Sequence, residues 1–208
     1  MKTPRRTWWA RWLLLGGGSS GGRFREGAIE ERYAHKVDSV LSLMTLEEKI
    51  GQLNQYTGNY QATGPVIDDT TKIEQIKKGR VGSMLNIKGA HQTRELQEYA
   101  MQSRLRIPLL FGLDVIHGMR TIYPIPLGEA ASFDLDLIRR TAAGAAREAA
   151  AQGVHWTFAP MMDISRDARW GRVMEGAGED TWYGTHVAQA RVEGFQGKSL
   201  ADVSTVMA

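Results

Sequence analysis

Leu135–Pro160 reads LDLIRRTAAGAAREAAAQGVHWTFAP. Its first part, Leu135–Gln152, is rich in alanine, the strongest helix former. Gly153 stops that helix, in the place where glycine often ends one. His155–Ala159 follows as a short apolar run of strand length. A helix delivered into a strand is half of a β–α–β crossover. The other half lies upstream, where Pro108–Leu113 predicts a strand with Asp114 at its end. The rhythm extends both ways. Val81–Leu85 predicts a strand and His91–Arg104 a helix; Thr181–Phe195 predicts a helix stopped by Gly197, and Val203–Met207 opens a further strand. Strands alternating with helices of this length predict a parallel sheet with crossover helices. Strands apolar along their whole length fit a sheet covered on both faces.

The N-terminal part adds helices. Glu30–Met44 places Tyr33, Val37, Val40, Leu41 and Met44 three and four residues apart, which predicts an amphipathic helix. Thr45-Leu46-Glu47-Glu48 is a capping-box pattern that opens a second helix through Leu53. Asn54–Asp69 is polar and glycine-bearing, hence loop, and Thr71–Lys78 predicts a helix stopped by Gly79. Residues 1–25 form an irregular leader: a basic start, then Trp12–Leu15, then the Gly/Ser linker Gly16–Gly22. This looks like a shortened signal peptide, and its apolar core is too short for a span of about 20 residues. Export is therefore expected. Residues 26–208 hold three strand–helix units and a last strand. An eight-unit barrel needs about 250 residues. The expected fold is α/β, the N-terminal part of a (β/α)8 TIM-like barrel, incomplete and cut short near Ala208.

Composition narrows the function. The 208 residues are 42% hydrophobic and 24% charged, ordinary for a globular protein. The net charge of +3 owes much to Lys2, Arg5, Arg6 and Arg11, and no basic stripe occurs elsewhere, which argues against nucleic acid. The chain has no cysteine, which excludes disulfides, zinc–thiolate sites and thiol nucleophiles.

In a β/α barrel, functional residues gather where strands end. Three such places exist: Asn86–Gly89, Asp114 in GLDVIHG, and the stretch from Asp163 to Gly184. Asp114 either accepts ligand hydroxyls as a charged acceptor or caps the next turn. His117 is either an acid/base or a structural donor to a loop carbonyl, and the second fits its position better. Ser165–Gly184, SRDARWGRVMEGAGEDTWYG, sets Arg166, Arg169 and Arg172 among Asp167, Glu175, Glu179 and Asp180. Most of these charges should pair with one another, leaving one or two for a ligand. Trp170 and Trp182 are expected to pack rather than to serve as stacking platforms. Aromatic faces with convergent charges nonetheless suit a polyhydroxylated ligand such as a sugar. Spacing alone marks no carboxylate as nucleophile or acid.

Several motifs in register carry a resemblance. MTLEEKIGQL (Met44–Leu53), GLDVIHGMRTIYPIPLGEAASFD (Gly112–Asp134), FAPMMDISRDARWGRVMEGAGED (Phe158–Asp180) and GFQG (Gly194–Gly197) resemble the N-terminal domain of glycoside hydrolase family 3, above all its bacterial periplasmic β-glucosidases. The resemblance covers about residues 37–208. It implies a barrel followed by an α/β sandwich domain, removal of terminal β-D-glucosyl residues with retention, a periplasmic or secreted location, no membrane partner, and no cofactor or metal. It assigns sugar hydroxyls of the −1 subsite to Asp114 and Arg172, and leaves His117 and Arg120 as structural. The family's Lys-His pair and its Ser-Asp-Trp motif with the nucleophile occur nowhere in the chain. No catalytic residue is therefore expected within it, and the isolated chain is expected to be inactive on its β-glucoside or oligosaccharide substrate. The alternatives are a non-catalytic carbohydrate-binding half barrel and part of a family β-xylosidase or exo-glucan hydrolase.

Overall fold

The computed structural model describes residues 26–58 and 69–208. The leader, 1–25, and most of the expected loop Asn54–Asp69 lie outside the described residues. The chain divides into two units, Met1–Leu43 and Met44–Ala208. In the first, helix α1 spans Glu26–Leu43, four residues longer at its start than its apolar spacing predicts. Tyr33, Val37, Val40 and Leu41, the stripe that defines it, are exposed.

The second unit begins at the capping box. Thr45 accepts from the Glu48 amide at 3.2 Å and Glu48 accepts from the Thr45 amide at 2.8 Å, which opens α2 (Leu46–Gly51). Then follow β1 (Gln55–Thr57), α3 (Asp69–Lys77), β2 (Ser83–Leu85), α4 (Ala90–Ala100), β3 (Leu110–Leu113), α5 (Pro126–Ala130), α6 (Leu135–Ala151), β4 (Trp156–Thr157), a 3-10 turn (Val173–Glu175) and α7 (Thr181–Gln196). The strands pair in parallel in the order β1-β2-β3-β4, and Met207 bridges Trp156 in parallel at the next position. Every crossover steps one strand in the same direction. A doubly wound sheet would reverse its order at a switch point; a barrel wall does not.

Side chains alternate across the sheet. Met84 and Phe111, partners in register, are buried with Ile76, Val81, Ala100 and Leu109. Val115, Val154, Phe195 and Val206 pack with the alanines of α6 in a second cluster. The small residues let helices approach: a Cβ on Gly194 of α7 would lie 2.4 Å from the Arg139 carbonyl oxygen of α6. On the other face, a Cβ on Gly112 would lie 3.0 Å from the Phe158 ring, and Leu110 is 46% exposed.

Several expectations need correction. Gln55–Thr57 lies inside the expected loop and is a strand. It is short and polar, and only its parallel pairing with β2 defines it. The strands are therefore not apolar throughout. Helix α4 stops at Ala100 rather than Arg104, because the chain turns there and Arg106 takes φ +53° before Pro108. Val203–Met207 begins as a turn and forms no strand, with Met207 alone of the five bridging the sheet. The short α5, with proline in its first turn, falls in a stretch with no helical periodicity long enough to announce it.

Candidate functional site

The ends of β3 and β4 carry the site. Asp114 follows β3 directly and is exposed. The next residue is anchored: the Val115 amide donates to the buried Thr157 hydroxyl of β4 at 3.1 Å. The chain then folds into a fixed loop. His117 Nδ1 donates to the Tyr123 carbonyl at 3.1 Å, and the Tyr123 amide donates to the His117 carbonyl at 2.9 Å. Because a carbonyl only accepts, that contact fixes the proton on Nδ1. Gly118 is required in the same turn: its φ is +113° and a Cβ there would meet the Thr121 carbonyl oxygen at 1.9 Å. The Glu148 carboxylate accepts from the amides of Arg120 and Thr121, both at 2.8 Å, and from the Thr121 hydroxyl at 2.6 Å. His117 is thus structural, as its position suggests, and Arg120 contributes its backbone.

The loop after β4 is held by its own charges. The Ser165 amide donates to the Gly178 carbonyl at 3.2 Å and draws the two arms together. Asp180 caps α7 by accepting from the Tyr183 amide at 2.6 Å. Arg169 pairs with Asp167 at 2.6 Å. Arg172 grips Glu175 through Nε, at 3.1 and 3.0 Å, and Nη2, at 2.6 Å. That leaves Nη1 of Arg172 without a hydrogen bond among the described residues. Trp182 is 72% exposed, edge-on to His186 at 4.3 Å, and is not a packing residue. A tryptophan near the start of a helix faces solvent when the helix buries its opposite side.

These two loops bring Asp114 and Arg172 into electrostatic contact. Burial pushes the Asp114 carboxyl above the usual aspartate range; the Arg172 cation pulls it down and Glu175 pushes it up. The desolvation is partial, since Asp114 keeps solvent access. The hydrogen bond from Arg172 to Glu175 raises the guanidinium pKa, and the charges of Glu175, Asp114 and Asp163 act the same way. One cation therefore stands among three carboxylates at the ends of parallel strands. Asp114 offers acceptors and Nη1 offers donors, and a vicinal diol needs both. Among the described residues no three His, Asp or Glu side chains converge as a metal site.

Glu175 and Asn86 are both singled out in the sequence, but their partners are not. Glu175 holds Arg172 at R-x-x-E spacing, a weak signal inside a loop. Asn86, at the end of β2 with φ +59°, reaches Thr57 with its amide at 3.4 Å, and nothing in Asn86–Gly89 announces that contact.

Comparison with known proteins identifies the family of the chain. Residues 45–207 match the model of the glycosyl hydrolase family 3 N-terminal domain. The periplasmic β-glucosidase of Salmonella typhimurium is 45% identical over 82% of this chain, a match covering 22% of that protein. The β-glucosidase of Listeria innocua in complex with isofagomine superposes with a TM-score of 0.74 and 40% identity, over 83% of this chain and 24% of that one. The chain thus spans about a quarter or less of the length of these relatives.

Proposed function

Since the chain belongs to glycosyl hydrolase family 3, matching its N-terminal domain, we propose that it contributes the glucose-recognition wall of a retaining, exo-acting β-glucosidase. Asp114 and Arg172 are the residues that hold the terminal sugar. The observation that carries this reading is their placement: two oppositely charged groups from separate loops, electrostatically coupled at the ends of β3 and β4. The substrate class is a terminal β-D-glucoside, and the location is periplasmic or secreted. A relative named as periplasmic supports that location.

The chemistry these residues supply is recognition. Asp114 accepts from two neighbouring hydroxyls, and Arg172 donates to the same sugar through Nη1 while Glu175 holds its other edge. Calorimetric titration of the 208-residue chain with glucose should show saturable binding. Asp114→Ala and Arg172→Ala should each weaken it about 10- to 100-fold, the value of one to two charge-assisted hydrogen bonds. Unchanged affinity in both variants sinks the assignment.

A further inference from the structure

Arg191 and Glu129 form a buried ion pair outside the sugar-facing residues. Their side chains are 5% and 4% exposed, and Arg191 Nη1 donates to Glu129 Oε2 at 2.7 Å. Arg191 lies on α7 and Glu129 on α5. Arg191 Nη2 donates to the backbone carbonyl of Ile116, two residues beyond Asp114. Its Nε is buried without a partner, and the guanidinium lies 5.9 Å from the Phe195 ring centroid.

A buried pair of this kind is a poor way to add stability. Removing two charges from water costs several kcal/mol per ion, and an apolar pair of similar volume often does as well. Desolvation depresses the Arg191 pKa against the pull of Glu129, and the unpartnered Nε adds a further cost. What an apolar side chain cannot do is hold a carbonyl. Arg191 donates to the Ile116 carbonyl in the turn after Asp114, while the Thr157 hydroxyl accepts from the Val115 amide. Asp114 therefore stands on a turn with one anchor on the sheet and one on α7. The same helix starts at Asp180, where the Arg172 loop ends. One rigid element thus registers both sugar-facing groups.

We propose that Arg191, oriented by Glu129, is a positioning residue: it fixes the Asp114 turn relative to the Arg172 loop through the Ile116 carbonyl. This deepens the sugar-site reading and rests on Asp114 being the group that is positioned.

The test compares the 208-residue chain with Arg191→Lys and with the double variant Arg191→Met/Glu129→Leu. Lysine keeps a cation for Glu129 but lacks the fork that spans both acceptors; the double variant removes the charges and keeps apolar volume. Amide exchange at Val115 and the carbon-13 NMR titration of the Asp114 carboxyl are read first without ligand, then glucose affinity. In both variants Val115 exchange should speed up about tenfold, the worth of one hydrogen bond to a charged group, the Asp114 titration should move toward the ordinary 3.8, and glucose should bind more weakly. Wild-type Val115 exchange and Asp114 titration alongside a lowered melting temperature would show a pair that supports the fold alone, overturning the proposal. Failure of both variants to fold overturns it equally. If the ligand-free readings move while even the wild-type chain ignores glucose, the positioning role stands and the sugar assignment falls.

Discussion

Burial is the first influence on the Asp114 carboxyl, and the charges beside it add effects with measurable signs. Glu175 raises the Asp114 pKa and Arg172 lowers it. Glu175→Gln should therefore lower the Asp114 carboxyl titration, both by removing a like charge and by freeing the guanidinium. Arg172→Ala should raise it. Carbon-13 NMR across the acid range reads both, and shifts of the opposite signs contradict the described geometry. The ionised carboxylate accepts hydroxyl hydrogen bonds more strongly than the protonated acid does. Glucose affinity should accordingly be level above the Asp114 pKa and fall as pH drops through it, which calorimetry at a series of pH values checks. The position of Asp114 at the end of β3 is legible in the sequence, because it ends an apolar run. The pairing of Glu175 with Arg172 is not. In a loop with four acidic and three basic side chains between Ser165 and Gly184, spacing does not say who pairs with whom; the turn at Val173–Glu175 decides it.

Elements repeat the lesson. The capping box at Thr45 is readable from four residues, since the physics is local. Its tertiary extension is not: Arg104, 56 residues away, grips Glu48 through Nε at 3.0 Å and Nη2 at 2.6 Å. That bond, followed by the Thr45 amide, depresses the Glu48 pKa from 4.5 to about 2. A depressed carboxylate stabilises the fold above its unfolded pKa, and that contribution is lost as pH falls toward the folded value. Glu48→Gln should melt below the wild type at pH 7, with the gap closing between pH 4.5 and about 2. A gap independent of pH contradicts the pairing. Helix contacts are equally specific. A Cβ at position 194 would meet the Arg139 carbonyl oxygen at 2.4 Å and the Ala142 Cβ at 2.7 Å. Gly194→Ala should destabilise, since overpacking costs about 1–3 kcal/mol against the roughly 1 kcal/mol that alanine gains within a helix. Denaturant melts decide the sign. The glycine stops at Gly79, Gly153 and Gly197 are legible for the same local reason as the cap. Strand β1 is not, because a three-residue polar segment becomes a strand only beside its neighbour.

At the scale of the molecule, the alternation of helix and strand is enough to predict a parallel α/β sheet. Strand order is not in the pattern. Consecutive pairing from β1 to β4, with Met207 adding the next position, is what separates a barrel wall from a doubly wound sheet. That order also explains why Asp114 and the loop bearing Arg172 meet, since they leave adjacent parallel strands at the same end. This meeting place is where a terminal glucosyl unit is proposed to sit. A crystal structure of the chain soaked with glucose tests it most directly. One sugar is expected at the ends of β3 and β4, with neighbouring hydroxyls on the Asp114 carboxylate and a further hydroxyl on Arg172 Nη1, Glu175 still gripping the other edge. Glucose bound elsewhere, or a site left in solvent with Asp114 untouched at saturating sugar, would contradict it.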